Sequence, residues 1–221
     1  MIITKKKDIT EITENLKEAD AKSVFLFGCD SCAEQCKTGG KTELAEMTET
    51  LTKAGFTVTG SALPSETCYN QLIKKEYRTN EDASLADATV VLACGAGVKN
   101  IADVAASTGN GTQVTIPALD SHFLSSVDRV GRFFEGCSLC GECVLDKTAG
   151  ICPHTDCPKS MLNGPCGGVD HGKCEVIREN DCAWVRIYGR LKTQGRLDLM
   201  KKITPPKDHS RTTHPRKLLL R

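Results

Sequence analysis

The part of the chain that decides its organisation runs from residue 134 to residue 182 and reads FEGCSLCGECVLDKTAGICPHTDCPKSMLNGPCGGVDHGKCEVIRENDC. It holds eight of the thirteen cysteines: Cys137, Cys140, Cys143, Cys152, Cys157, Cys166, Cys174 and Cys182. The stretch is rich in glycine and poor in large apolar side chains, so it can bury little hydrocarbon. A unit of roughly 40–70 residues with so small a core normally needs cross-links or metal ions. The sequence therefore predicts a small Cys-rich module that is folded by metal.

The cysteine spacing within this module indicates two metal sites. The first three cysteines, 137 to 143, have the C-x2-C-x2-C spacing of bacterial ferredoxins, and Cys157, followed by Pro158, is suited to be their separated fourth ligand. The remaining four could hold a second cluster or a tetrahedral zinc ion: Cys152, Cys166, Cys174 and Cys182. Zinc accepts almost any four thiolates within reach, so spacing does not decide which metal binds, and ligands could also be exchanged between the two sites.

Charge and composition restrict the partners and the compartment. The formal net charge is +1, which argues against binding to nucleic acid or to anionic membranes. The segment from Met1 to Lys7 lacks the apolar region of a signal peptide, and no stretch approaches the ~18 apolar residues of a membrane helix. We therefore expect a cytoplasmic protein whose thiols are reduced and available to metals.

Residues 1–120 alternate between strand and helix patterns. Apolar runs predict four strands at 23–27, 56–60, 89–93 and 113–116, and helical spacing predicts helices near 9–16, 41–54, 72–77 and 98–105, the last of them stopped by Gly109. This alternation is typical of an α/β fold with a doubly wound, Rossmann- or flavodoxin-like parallel sheet. Ligands of such sheets bind at the carboxyl ends of the strands, with the first strand central.

The cysteines of this domain follow the strands. Cys29, Cys32 and Cys36 come after the first strand, Cys68 after the second and Cys94 after the third. Three thiolates on one loop can bind a cluster if a fourth arrives from elsewhere. Cys94 is the preferred fourth ligand because Gly-Ala-Gly follows it and permits close backbone approach, and Cys68 is the alternative. The C-x2-C-x3-C order reverses that of radical enzymes that cleave S-adenosylmethionine, and a third cysteine would be superfluous in a thioredoxin-like pair.

Three segments are expected in all. Residues 1–120 form the α/β domain with the first iron–sulfur site, residues 121–203 form the Cys-rich module, which ends in a helix, and residues 204–221 form a basic, extended tail. Leu218, Leu219 and Leu220 have no obvious place in a core, so we expect this tail to contact a partner.

Four motifs together resemble one protein family: FGCDSCAEQCKTGG at 27–40, CGAG at 94–97, NGPCGG at 163–168 and GKCE at 172–175. They are similar to the small subunit of acetogen-type methylenetetrahydrofolate reductase, the MetV family, also known as the methylenetetrahydrofolate reductase C-terminal domain family. The resemblance spans almost the entire chain, and the NGPCGG run is its most specific part.

The resemblance implies a non-catalytic, iron–sulfur subunit of an oxidoreductase, which in some members also contains zinc. Two or three [4Fe–4S] clusters would relay electrons to the FMN of a TIM-barrel catalytic partner, where methylenetetrahydrofolate is reduced in the Wood–Ljungdahl pathway of one-carbon metabolism. Further redox subunits could join the complex, while nucleic acid and membrane insertion are not expected. In this picture Cys29, Cys32, Cys36 and Cys94 hold one cluster. The alternative is a structural zinc subunit that carries no electrons.

Overall fold

The computed structural model describes residues 1–108, 111–129 and 131–219. The helices are α1 Ile9–Glu18, α2 Cys32–Gln35, α3 Lys41–Lys53, α4 Asn70–Thr79, α5 Glu81–Leu85, α6 Gly95–Thr108 and α7 Ala183–Thr193. The strands are β1 Ile2–Lys6, β2 Ser23–Phe27, β3 Thr57–Ala62, β4 Ala88–Val91, β5 Val114–Pro117, β6 Leu119–Arg129 and β7 Arg132–Cys137. The predicted helix stop at Gly109, and Leu220 and Arg221 of the tail, lie outside the described residues.

A four-stranded parallel sheet of order β3-β2-β4-β5 confirms the predicted α/β fold. The first predicted strand, β2, is central, with β3 and β4 on either side of it. A second, three-stranded sheet has the order β1-β6-β7, and the sequence patterns did not predict any of its strands. The chain divides into two compact units: residues 1–123 with 127–133, and residues 124–126 with 134 onwards.

The core of the first unit surrounds β2 and β4. Phe25, Phe27 and Leu92 are at most 1% exposed, because the strands of a sheet covered on both faces bury every side chain. The ring of Tyr77 on α4 stacks on Phe27 at a centroid distance of 5.6 Å, and its hydroxyl donates to Gln113 Oε1 at 2.7 Å. Burial raises the pKa of Tyr77 to about 12. This apolar layer packs α4 against the central strand of the sheet.

Gly39 lies where the loop after β2 meets the end of β4. A Cβ atom at this position would lie 2.0 Å from the carbonyl oxygen of Leu92, and Gly39 itself accepts a hydrogen bond from the backbone N–H of Cys29 at 2.9 Å. The absence of a side chain therefore allows the cysteine-bearing loop to pack against the sheet.

Alanine at Gly39 should destabilise the protein by about 1–3 kcal/mol, because a backbone atom must move to admit the methyl group. The measurement is urea unfolding followed by circular dichroism. Gly95→Ala is the matched control, since its nearest neighbour would be Ser121 Oγ at 3.8 Å, an ordinary contact. Equal stability of the two variants would contradict the close approach.

The second unit has a much smaller core. Its buried cluster consists of five side chains: Ile151, Ala183, Trp184, Ile187 and Leu191. The predicted helical face is confirmed for Trp184, Ile187 and Leu191 on α7, whereas Tyr188 is 46% exposed. Two short 3-10 helices follow, Leu197–Lys201 and His209–Thr212. Most of this unit consists of turns, as expected for a module with little hydrocarbon to bury.

Candidate metal centres

The carboxyl edge of the parallel sheet carries the first group of cysteines. Cys29 lies two residues after the end of β2 and is 6% exposed, and Cys32 begins the single turn of α2. The backbone N–H of Asp30 donates to the carbonyl of Pro64 at 3.0 Å. This bond joins the loop after β2 to the loop after β3, as the parallel topology predicts.

The loop carrying Cys68 is held against the start of α6, which Cys94 precedes. Asn100 on α6 donates from Nδ2 to the carbonyl of Thr67 at 2.7 Å. A Cβ atom at Gly97 would lie 2.3 Å from Thr67 Oγ1, so only glycine lets the loop approach this closely. The structure therefore places both candidate fourth ligands, Cys68 and Cys94, beside this contact between the loop and α6.

The thiol of Cys68 is influenced by three other cysteines. Partial burial raises its pKa, and the nearby thiols of Cys94, Cys29 and Cys32 raise it further, because several negative charges at one place disfavour one another. A positive metal centre would remove this penalty. Cys29, Cys32, Cys68 and Cys94 thus form a four-thiol group, called here the sheet-edge site.

Cys36 is placed differently from the other thiols of its loop. Its Sγ lies 3.8 Å from the carbonyl oxygen of Ile2 on β1. Ile2 also donates its backbone N–H to Cys32 Sγ at 3.4 Å, so the backbone of β1 contacts both Cys32 and Cys36. The sequence pattern had grouped Cys36 with Cys29 and Cys32 as a ligand.

In the second unit four thiols line a cavity of about 470 Å³, called here the wide site: Cys137, Cys140, Cys143 and Cys152. The loop 137–143 turns sharply, with positive φ angles at Leu139 and Gly141. The backbone N–H of Leu139 donates to Cys137 Sγ at 3.3 Å. Turns of this kind point amide groups at sulfur, which is how loops receive anionic centres. Cys152, rather than the expected Cys157, accompanies the three ferredoxin-spaced cysteines.

Lys207 lies beside the wide site. Its ammonium donates to Cys140 Sγ at 2.8 Å and to the carbonyl oxygen of Glu142. Desolvation raises the pKa of the Cys140 thiol. The hydrogen bond and the positive charge of Lys207 oppose this effect, and the pKa of the thiol lies below its ordinary value. Thiolate is the form that binds metals, so this environment favours ligation by Cys140.

The other four C-terminal cysteines line a narrow cavity of about 20 Å³, called here the narrow site: Cys157, Cys166, Cys174 and Cys182. Cys182 precedes α7, and its carbonyl accepts the hydrogen bond of Arg186 N–H at 3.1 Å. Its own N–H donates to the carbonyl of Gly172 at 2.8 Å. The hairpin-like turn 170–181 therefore presents Cys174 and Cys182 together at the beginning of the helix, beside the Trp184 ring.

An ion pair borders the narrow site. Cys166 Sγ lies 3.1 Å from Glu175 Oε1, and the same carboxylate binds Lys159 Nζ. The hydrogen bond from Lys159 and that from the Cys166 thiol hold the pKa of Glu175 below its ordinary value. The carboxylate is therefore ionised at neutral pH, where it accepts the hydrogen bond of the Cys166 thiol and keeps Lys159 close to the sulfur atoms.

In residues 1–108, 111–129 and 131–219, no three Cys, His, Asp or Glu side chains converge tightly enough to hold one metal ion directly. The cysteine thiols of the second unit instead line cavities. A cluster places its own atoms between its ligands, so thiols that surround a large volume, as in the wide site, suit a cluster. Within the same ranges, no helix is long and apolar enough to cross a membrane.

Sequence reasoning missed Lys207 and the Lys159–Glu175 pair. Lys207 lies 67 positions from Cys140, and nothing in the spacing of a basic tail indicates a sulfur partner. Glu175 directly follows Cys174, so a charged neighbour of a ligand was visible, but its contact with Lys159 depends on the turn between them.

The chain was compared with known proteins. Residues 116–210 match the family model described as "Methylene-tetrahydrofolate reductase C terminal". This range, less than half of the chain, contains the wide site, the narrow site and Lys207. Neither the curated proteins nor the solved structures gave a match. The C-terminal part of the chain is therefore related to a domain of methylenetetrahydrofolate reductases, in agreement with the resemblance carried by the NGPCGG run.

Proposed function

We propose that this protein is an iron–sulfur subunit of a methylenetetrahydrofolate reductase complex and transfers electrons to the FMN of a catalytic partner. The observation that carries the proposal is the separation of the eight C-terminal cysteines into two sets of four thiols, each lining its own cavity. The family match of residues 116–210 supplies the link to the reductase. A structure with its cysteines distributed singly through the core would not support a carrier of electrons.

The wide site is proposed to bind a [4Fe–4S] cluster. Four thiols are the ligand set of such a cluster, and a cavity of about 470 Å³ has room for its eight inorganic atoms. A bound cluster would supply one-electron redox chemistry. The residues of the chain would hold it, direct the Leu139 amide at sulfur and partly shield it from water.

The narrow site is proposed to bind a single zinc ion. Its cavity of about 20 Å³ is close to the ~10–15 Å³ that one water-sized sphere occupies, so it suits one ion better than a cluster. Zinc favours four thiolates in tetrahedral geometry and has no redox chemistry. The ion would tie the turn 170–181 to α7, which is a structural function.

The sheet-edge site is proposed to bind a second [4Fe–4S] cluster, with Cys29, Cys32, Cys68 and Cys94 as ligands. The shared influence of these thiols on the pKa of Cys68 supports this set, as does the fixed contact of Thr67 with α6. Cys36, on the same loop, is the competing ligand. This arrangement agrees with the rule that parallel sheets bind ligands at the carboxyl ends of their strands.

The decisive experiment is metal analysis combined with electron paramagnetic resonance on protein purified without oxygen. We expect brown protein with roughly eight iron atoms and about one zinc ion per chain. Reduction with dithionite should produce the signals of reduced clusters, and the reduced protein should bleach the FMN of the catalytic partner. Colourless protein that contains zinc alone would instead favour the structural alternative.

A further inference from the structure

The tail that follows the second unit's helices is attached to the cysteine loop of the wide site. Besides the Lys207 contacts, the backbone N–H of Asp208 donates to Glu142 Oε2 at 3.2 Å. Arg216 donates from Nη1 to the carbonyl oxygen of Leu139 at 3.0 Å. Arg211 also donates from Nη1 to the carbonyl oxygen of Gly141 at 3.5 Å. Four tail residues therefore bind the loop, at positions 139 to 142. The expectation that the tail contacts another chain remains a prediction. Several hydrogen-bonding groups of the tail are paired within the second unit.

The tail fits closely against the loop. A Cβ atom at Gly141 would lie 3.2 Å from the Cβ of Arg211, so the loop and the tail are in direct van der Waals contact there. Lys207 and Arg216 also line the wide cavity itself. Two cationic side chains are thus placed at the cavity by a segment that the ferredoxin-like spacing does not include.

The charge of Lys207 is directed at sulfur. Among the described residues, no carboxylate forms an ion pair with this ammonium, and its hydrogen bonds go to Cys140 Sγ and the Glu142 carbonyl. Reduction of a cluster adds one negative charge, and a nearby positive charge stabilises the reduced form more than the oxidised form. Hydrogen bonds to the sulfurs and local charge are the features that set the potentials of iron–sulfur clusters.

We propose that Lys207 raises the reduction potential of the cluster in the wide site, and that the contacts of Asp208 and Arg216 position it against Cys140. The inference rests on the proposed function, since it requires a cluster at the four thiols. Lys207 acts here as a positioning and tuning residue: it does not replace a ligand, and it does not exchange a proton with the site.

The test is a redox titration of the full-length, cluster-loaded chain, followed by paramagnetic resonance. In Lys207→Met the ratio of reduced to oxidised cluster, at a fixed ambient potential, should fall about tenfold, which corresponds to about 59 mV for one electron. Lys207→Arg, which keeps the charge, should stay within about threefold of the unmodified protein. Lys217→Met removes the same charge from the same tail and should leave the ratio unchanged.

The outcomes distinguish failure of the proposed function from failure of the tuning role. If the unmodified protein binds no iron, the proposed function fails and this inference fails with it. If iron is bound but Lys207→Met and Lys217→Met have the same potential, only the tuning role is rejected. If Lys207→Met loses iron, the redox titration is repeated with Lys207→Gln, whose amide can still donate to sulfur. Loss of iron from both variants would show that Lys207 holds the site together, and this would also overturn tuning.

Discussion

Serine in place of Cys68 is expected to remove the iron of one cluster, about four ions per chain, whereas serine in place of Cys36 is expected to leave the iron content unchanged. The reason is that the charges of Cys94, Cys29 and Cys32 act on the Cys68 thiol and help to raise its pKa, while Cys36 Sγ faces the carbonyl of Ile2. Neither serine should unfold the chain, because Cys68 is exposed and Cys36 is half-buried. Iron analysis of anaerobic preparations is the measurement.

Cys94→Ser provides the positive control, because Cys94 belongs to both versions of the ligand set. It should lose the same iron as Cys68→Ser. The reverse pattern is loss of iron from Cys36→Ser and retention of iron by Cys68→Ser. It would support Cys29, Cys32, Cys36 and Cys94 as the ligands instead. The three single variants therefore separate the two assignments without any need for activity.

Removal of the ion from the narrow site is expected to unfold the second unit while the parallel sheet persists. Binding of structural zinc in small domains is worth about 10–16 kcal/mol, whereas a fully buried apolar side chain contributes about 1.5–3 kcal/mol. The second unit has only five side chains in its buried cluster. After the entropy of ordering the turns is subtracted, such a core cannot replace the metal.

The measurement uses the only tryptophan of the chain. Trp184 lines the narrow site and donates from Nε1 to the carbonyl of Met161 at 2.8 Å, so its emission should shift to longer wavelength when a chelator removes the ion. Cys174→Ser should show this shift without chelator. Cys143→Ser, which affects the wide site alone, should keep the emission of the folded unit. Unchanged emission after complete removal of metal would contradict a metal-dependent fold.

Sequence patterns predicted the parallel sheet well because its two central strands are buried. β2 and β4 consist almost entirely of side chains that are hidden from solvent, and such apolar runs between turn residues are strong local signals. The central position of β2 also followed from topology. By contrast, β1 (IITKK) ends in two exposed lysines and β6 (LDSHFLSSVDR) is largely exposed, so neither strand has the continuous apolar run that gives a strong signal. β6, Leu119–Arg129, crosses the boundary that was predicted between residues 120 and 121.

The cysteines themselves could be identified from sequence, but their grouping could not. Cys152 and Cys157 lie five residues apart, and each is followed by proline, so spacing gave no reason to assign Cys152 to the wide site. The difference arises from the turns around them, including the positive φ angles at Ala149 and Gly150. Contacts such as Lys207 with Cys140 join distant parts of the chain and depend on the completed fold.

The close approach of Thr67 to Gly97 links a loop to the first turn of α6, and the two residues are 30 positions apart in the chain. Thr67 is 1% exposed, and its hydroxyl occupies the space that a side chain at position 97 would need. The two positions therefore cannot diverge independently during evolution. A larger residue at 97 would have to be accompanied by a smaller one at 67, or the loop with Cys68 would separate from Cys94 and the proposed sheet-edge site would lose a ligand without any cysteine being replaced.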